Sequence, residues 1–305
     1  MTAARAVVFA YHDVGVRCLS VLLAQGLEIP FVVTHRDHPG ERIWFASVER
    51  LARDRGLEVE MPDDPNGPAL AEKLRTVAPD FIFSFYYRHM LPADALKAAR
   101  RGAYNMHGSL LPKYRGRVPV NWAVLNGERE TGATLHRMEA KPDAGNIVDQ
   151  MAVPILPDDL AVDVFRKVTV AAEIVLHRSL PGLLGGTARE VAQDLSMGSY
   201  FGGRKPEDGR IDWSKGAKQV HDLVRAVAPP YPGAFMDLQG HRLEIHRTRL
   251  ISGSGSARTA HLNVDSDAVT VDCADGGRLL ILEAALDGQA AAPPKLLRHF
   301  GSRPL

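Results

Sequence analysis

Between Arg5 and Ser109 short apolar runs alternate with amphipathic stretches, and this alternation constrains the fold more than any other feature. RAVVFAY is a β-branched and aromatic run; CLSVLLAQG follows with helical spacing and stops at Gly26. EIPFVVTH reads as a second strand, WFASVERLARDRG as a helix ending at Gly56, and LEVEMP as a third strand. PALAEKLRTVAP is helical, DFIFSFYY is a buried strand, PADALKAARRG is a helix, and AYNMHGS is a strand with its exit loop. Parallel strands need long crossovers, so such a series predicts a mostly parallel sheet.

Downstream, TGATLHRME and NIVDQMAVPI read as a strand pair around AKPDAG, and DLAVDVFRKVTVAAEIVLHRSLPGLL as the longest helix. After Gly186 the chain turns polar and Gly-rich, in the manner of a linker. AKQVHDLVRAVA is one more helix. Short alternating strands with Gly turns then run from PGAFMDLQGHRLEIHRTRLI through HLNVDSDAVTVDCADGGRLLILEA, with SGSGSARTA as a hairpin tip. The expected architecture is α/β: a Rossmann-like, mostly parallel sheet with helices on both faces, plus a small C-terminal OB-like β-barrel. The expected division is a catalytic domain over 1–190, a linker over 191–210 and the barrel over 211–305.

Composition narrows the class. The 305 residues carry a net charge of +1, so the basic excess of a nucleic-acid clamp is missing and no nucleic-acid partner is expected. The apolar runs are too short to insert in a membrane, and the N-terminus lacks a signal-peptide pattern, which points to the cytoplasm. Cys18 and Cys273 have no partner motif and read as inert thiols.

The stretch GAYNMHGSLLPKYRGRVPVNW carries the chemistry. Asn105 and His107 are two apart in a strand, so both side chains share one face, and Gly108 and Ser109 break the strand just beyond them. Asp143 lies in the constrained loop KPDAG, between Pro142 and Gly145. Together the three suit acyl transfer without a nucleophilic Ser or Cys. Asn105 can donate to a developing oxyanion, His107 can donate to the same centre, and Asp143 can support the imidazole and collect a proton. Spacing alone leaves a second reading, in which His107 is a hydrogen-bonded strand-end histidine and Asn105 a turn former.

Read whole, NMHGSLLPKYRGRVPVNWAVLNGERETGATLHRMEAKPDAGNIV resembles the signature of the 10-formyltetrahydrofolate-dependent formyltransferases, through Asn105, His107, Ser109, Leu110, Leu111, Pro112, Gly116 and Asp143. The resemblance implies that Asn105, His107 and Asp143 are the catalytic trio. VVFAYHDVG, THRDHPGE, IFSFYYRHML, HGSLLPKYRGR and GGRKPEDGRIDW are most similar to one branch. That branch is the UDP-4-amino-4-deoxy-L-arabinose formyltransferase domain of the bifunctional polymyxin-resistance protein, which implies a part in lipid A modification. It also implies 10-formyltetrahydrofolate as formyl donor and a nucleotide-linked amino sugar as acceptor. The implied folate contacts are His89, Met90 and Leu91, then Arg117, then Glu139, Ala140, Lys141, Pro142 and Asp143. The bifunctional relatives continue into an NAD-dependent decarboxylase, whereas this sequence ends at FGSRPL and has no G-x-G-x-x-G. Whether the protein stands alone, works beside a separate decarboxylase or forms a homo-oligomer stays open.

Other candidates divide between binding and structure. His35, Asp37 and His38 fit a solvated turn better than a metal site, and no metal is expected. His12 and Asp13 end the first strand, where a ligand contact and a cap are both open readings. Tyr86 and Tyr87 beside Arg88 suit either ring stacking or core packing, Lys113, Arg115 and Arg117 suit a diphosphate or folate tail, and Tyr231 a sugar nucleotide. Methionyl-tRNA formyltransferase and formyltetrahydrofolate hydrolase are the rival activities. The first typically has a longer basic insertion where this chain has only HRDHPGERIW, with Arg36 and Arg42 set against Asp37 and Glu41. A non-catalytic sensor would have no need of the trio.

Overall fold

The computed structural model describes residues 3–252 and 259–305, so most of the expected hairpin tip lies outside the described residues. The chain forms two compact units: residues up to 119, 131–153 and 166–202 make the first, and 120–130, 154–165 and 203–305 the second.

The elements of the first unit begin with β1 (Ala6–Ala10), α1 (His12–Ala24), β2 (Phe31–Val33), α2 (Val48–Asp54), β3 (Glu58–Glu60), α3 (Pro68–Val77) and β4 (Phe81–Phe85). They continue with α4 (Ala93–Lys97), β5 (Gly102–His107), β6 (Arg115–Gly116), α5 (Pro119–Leu125), β7 (Glu130–Arg137), β8 (Ile147–Pro154), α6 (Ala161–Gly185) and β9 (Tyr200–Phe201), some of whose residues fall in the second unit. The sheet order is β3-β2-β1-β4-β5-β7-β8. From β3 to β5 every pairing is parallel, and β7 runs antiparallel to β5. All five residues of β1 and of β4 are buried, as central strands of a covered parallel sheet must be. The strand order reverses between β1 and β4, so a crevice is expected at their carboxyl ends and that of β5.

Two helices are shorter than their sequence patterns. Within WFASVERLARDRG the helix starts only at Val48, because the Ser47 side chain accepts from the Arg50 N–H and caps it there. Within PADALKAARRG it spans Ala93–Lys97. In the second unit, α7 (Ala217–Val227) precedes β10 (Ala234–Leu238), β11 (His241–Ile251), β12 (His261–Val264), β13 (Val269–Asp272), β14 (Arg278–Leu286), β15 (Gln289–Ala290), α8 (Pro293–His299) and β16 (Arg303–Pro304). These strands form a curled antiparallel half-barrel in the order β10-β11-β14-β13-β12-β16. Register irregularities around Arg247 bend its longest pair, as bulges do. The expected α/β sheet and the OB-like second module are therefore both present.

Candidate active site

The antiparallel register of β5 against β7 sets Asn105 opposite His136 and His107 opposite Thr134. Directly opposed residues share a face, so the Asn105–His107 face meets the His136–Thr134 face. The Asn105 Nδ2 donates to His136 Nε2 at 3.1 Å, and His136 Nδ1 lies 2.8 Å from the Arg137 carbonyl oxygen. A carbonyl only accepts, so Nδ1 carries the hydrogen and the Nε2 lone pair receives the Asn105 amide. His107 Nε2 lies 2.8 Å from the Tyr114 carbonyl oxygen and donates to it by the same logic. Its Nδ1 stands 3.5 Å from Asp143 Oδ1, beyond an ordinary hydrogen bond.

Asp143 completes the trio. Its Oδ1 is also 3.5 Å from His136 Nε2, and its Oδ2 accepts from the Gly116 N–H at 2.9 Å. Burial on its own would raise this carboxyl, but the neighbouring His107 and the Gly116 N–H hold it well below the usual carboxylate range. The loop around it is fixed. Gln193 Nε2 donates to the carbonyls of Asp143 at 3.1 Å and of Gly145 at 2.7 Å. A Cβ on Gly145 would lie 2.1 Å from the Arg137 carbonyl oxygen, so only glycine fits.

The loop after β5 is shaped to bring Tyr114 and Gly116 to these side chains. Thr134 Oγ1 donates to the Ser109 carbonyl at 2.6 Å and accepts from Leu111 N at 3.2 Å and Gln150 Nε2 at 2.8 Å. Ser109 Oγ donates to the Lys113 carbonyl at 2.7 Å. Next, β6 pairs in parallel with β9, and the Tyr114 and Phe201 rings stack with centroids 5.2 Å apart. Asn105, His107 and Asp143 are legible in the sequence, whereas His136, Gln193 and the Gly116 N–H join them only through the fold. His136 sat in view in TLHRM, and pairing the two expected strands in register would have exposed it.

The expected folate contacts have separate settings. His89 is exposed, with its ring 5.0 Å from His35 and 5.7 Å from Tyr87, and Met90 is 53% exposed. Leu91 is buried in the cluster of Val7, Phe9 and Ile82, so its side chain serves the core. Arg117 is exposed beside β6, its N–H donating to the Phe201 carbonyl at 3.0 Å. Glu139, Ala140 and Lys141 are exposed in the β7–β8 loop and Pro142 is half-buried; of this loop stretch, Asp143 meets His107.

The HRDHPGE turn is exposed from Arg36 to Gly40, as a solvated turn should be, and is also tied to its neighbours. His35 Nε2 accepts from Arg88 N at 2.9 Å and stacks on Tyr87, with centroids 4.2 Å apart. Asp37 accepts from the Tyr11 hydroxyl at 2.6 Å, and Glu41 takes the Arg88 guanidinium through both oxygens. His12 stacks on Phe45 with centroids 3.8 Å apart, while Asp13 accepts from Ala46 N at 2.8 Å. Burial, with Arg88 nearby, lowers His12 to about 3. Burial, with His89 and Arg88, lowers His35 to about 4. Among the described residues no group of three or more His, Cys, Asp or Glu could hold a metal ion. Tyr231 lies in the second unit, its hydroxyl raised by burial and bonded to Asn121.

The protein is thus a mostly parallel α/β sheet, with Asn105 and His107 at the end of β5 and Asp143 in the β7–β8 loop, followed by an antiparallel half-barrel, the layout of a two-module enzyme. The chain belongs to the formyl transferase family, whose "Formyl transferase" description matches residues 25–180 and whose C-terminal domain matches 204–300. It is a formyltransferase. Several solved structures share the fold. WlaRD, a sugar 3N-formyltransferase studied with dTDP and 5-N-formyl-THF, superposes with a TM-score of 0.73 at 20% identity, over 92% of this chain and 98% of its own. An N-formyltransferase from Helicobacter canadensis, in complex with folinic acid and dTDP-3-aminofucose, gives 0.73 at 19% identity, over 95% and 100%. A 4-N formyltransferase from Francisella tularensis gives 0.63 at 20% identity, over 77% and 93%. No helix among the described residues is long and apolar enough to cross a membrane.

Proposed function

We propose that this enzyme transfers the formyl group of 10-formyltetrahydrofolate to the amine of a nucleotide-linked amino sugar, and that the sugar nucleotide is UDP-4-amino-4-deoxy-L-arabinose. The observation that carries the reading is the convergence of Asn105, His107 and Asp143 at the end of β5, with no nucleophilic side chain among them. Relatives of the same fold that are named for amino-sugar formylation, bound to formyl folates, support the donor and the acceptor class. The resemblance to the polymyxin-resistance branch supports the particular sugar, a cytoplasmic site of action and a part in lipid A modification. We assign catalysis to 1–190 and the barrel module to 211–305 on the same basis.

The residues divide the work as follows. The neutral acceptor amine forms a C–N bond to the formyl carbon. The second Nδ2 hydrogen of Asn105 and the Nδ1–H of protonated His107 donate to the formyl oxygen as negative charge develops on it. Asp143, ionised and fixed by Gly116, stabilises positive charge on His107 and takes up the proton that the amine sheds. The bond to N10 then breaks, and that nitrogen takes the proton held by Asp143 as tetrahydrofolate leaves, which returns the carboxylate. His89 to Leu91, Arg117 and Glu139 to Asp143 hold the folate.

The test supplies both substrates and follows tetrahydrofolate release together with product mass, beside His107→Ala. A formylated sugar nucleotide, reduced about 10²- to 10³-fold or more in the variant, is the expected outcome. Tetrahydrofolate with free formate would overturn transfer in favour of hydrolysis. Formylation of initiator methionyl-tRNA in place of the sugar would overturn the acceptor.

A further inference from the structure

Arg115 is the one charged side chain among the described residues that is buried with no partner. It is 9% exposed, its Nε is fully buried without a hydrogen bond, and no described residue forms an ion pair with it. The other buried ionic groups are satisfied: Arg225 pairs with Asp222 at 2.8 Å, and Asp222 takes Lys218 as well. Proteins seldom retain a buried, uncompensated guanidinium, because desolvation of the charge is not repaid. The Arg115 side chain, with its Nε lacking a partner in the protein, therefore suits an anion arriving from outside.

Its place in the chain says which anion. Arg115 sits between Tyr114, whose carbonyl receives the His107 N–H, and Gly116, whose N–H holds Asp143. Its own N–H donates to the Ser199 carbonyl at 3.0 Å, so the backbone here is fixed against β9. Exposed Lys113 and Arg117 flank it in the same loop. We propose that Arg115 binds the diphosphate of the nucleotide-sugar acceptor, an inference that rests on the function proposed above. Both substrates are anionic. The diphosphate is one sugar ring from the reacting amine, whereas the glutamate carboxylates of the folate lie beyond its aromatic spacer. A residue flanked by two catalytic contacts suits the nearer group, and the planar guanidinium fork fits phosphate oxygens two at a time.

The experiment uses the full chain with Arg115→Met and Arg115→Lys, probed by UDP and by inorganic pyrophosphate in calorimetry and thermal shift. Without ligand, Arg115→Met should melt no lower than wild type, since it removes an uncompensated charge. Its affinity for UDP and its KM for the acceptor should each worsen about 10- to 100-fold, with KM for 10-formyltetrahydrofolate changed less than about threefold. Arg115→Lys should recover part of the loss, because it restores charge without the fork. A lower melting temperature with unchanged UDP affinity would make Arg115 structural and overturn the proposal. A rise in the folate KM alone would also overturn it, by giving the anion to the glutamate tail. Pyrophosphate separates the two readings. Arg115-dependent pyrophosphate binding without sugar formylation sustains the anion site and overturns the acceptor; wild type that binds neither probe overturns the site.

Discussion

At the residue scale, Asp143 has neighbours from three separate stretches of chain: His107, His136 and the Gly116 N–H. Its carboxyl is held low, so its contribution to stability is fully present above the ordinary carboxylate range near ~4 and is lost as pH falls below it toward the folded value. The stability advantage of wild type over Asp143→Asn, read by urea denaturation, should therefore shrink as pH drops through about 4. An advantage that stays constant down to pH ~3 would show that the carboxylate is not held this way. His136, 1% exposed, fixes the orientation of Asn105 by accepting its amide. His136→Leu should lower kcat about 10- to 100-fold with little change in either KM, and His136→Gln should restore much of it by supplying an acceptor. Equal damage from both variants would reduce His136 to packing. Asn105 and His107 were legible because a strand repeats every two residues. His136 was not, because only the β5–β7 register sets it against Asn105.

At the scale of elements, the loop from Gly108 to Gly116 acts as a template that carries backbone groups to side chains. A Cβ on Gly108 would lie 2.0 Å from the Tyr86 hydroxyl oxygen. Gly116 has a φ of +98°, and a Cβ there would lie 2.1 Å from the Phe201 carbonyl oxygen. Gly116→Ala should destabilise the protein by about 2 kcal/mol or more and lower kcat as the Asp143 anchor shifts. Gly26, with a φ of +76° and nothing near its missing Cβ, is the control: Gly26→Ala should cost only about 1 kcal/mol and leave kcat unchanged. Denaturation midpoints and turnover of the two variants, measured together, separate backbone strain from loss of the site. The β–α series was readable from periodicity, but β6 and β9 were not. Two-residue strands carry no period, and they exist because distant segments meet.

For the whole molecule, the buried histidines couple stability to pH. His12 is lowered to about 3, so the unfolded chain takes up a proton that the native state refuses once pH falls below ~6.5. Wild type should lose roughly 2 kcal/mol more than His12→Asn between pH 7 and 5, with asparagine chosen because His12 has a φ of 67°. Parallel pH profiles for the two proteins would exclude a buried neutral His12. By itself the sequence determined the order of elements, the parallel sheet, the half-barrel module and the N-x-H signature with its distant Asp. Hydrophobic period, turn residues and a long motif are all local or linear properties. Tertiary structure decided which ring nitrogens are engaged, that His136 and Gln193 hold the site, that HRDHPGE is pinned to Arg88 and Tyr11, and that Arg115 is buried unpaired. Each of these depends on strand register or on loops brought together across the fold, and neither the distance nor the desolvation involved is written in any single stretch of chain.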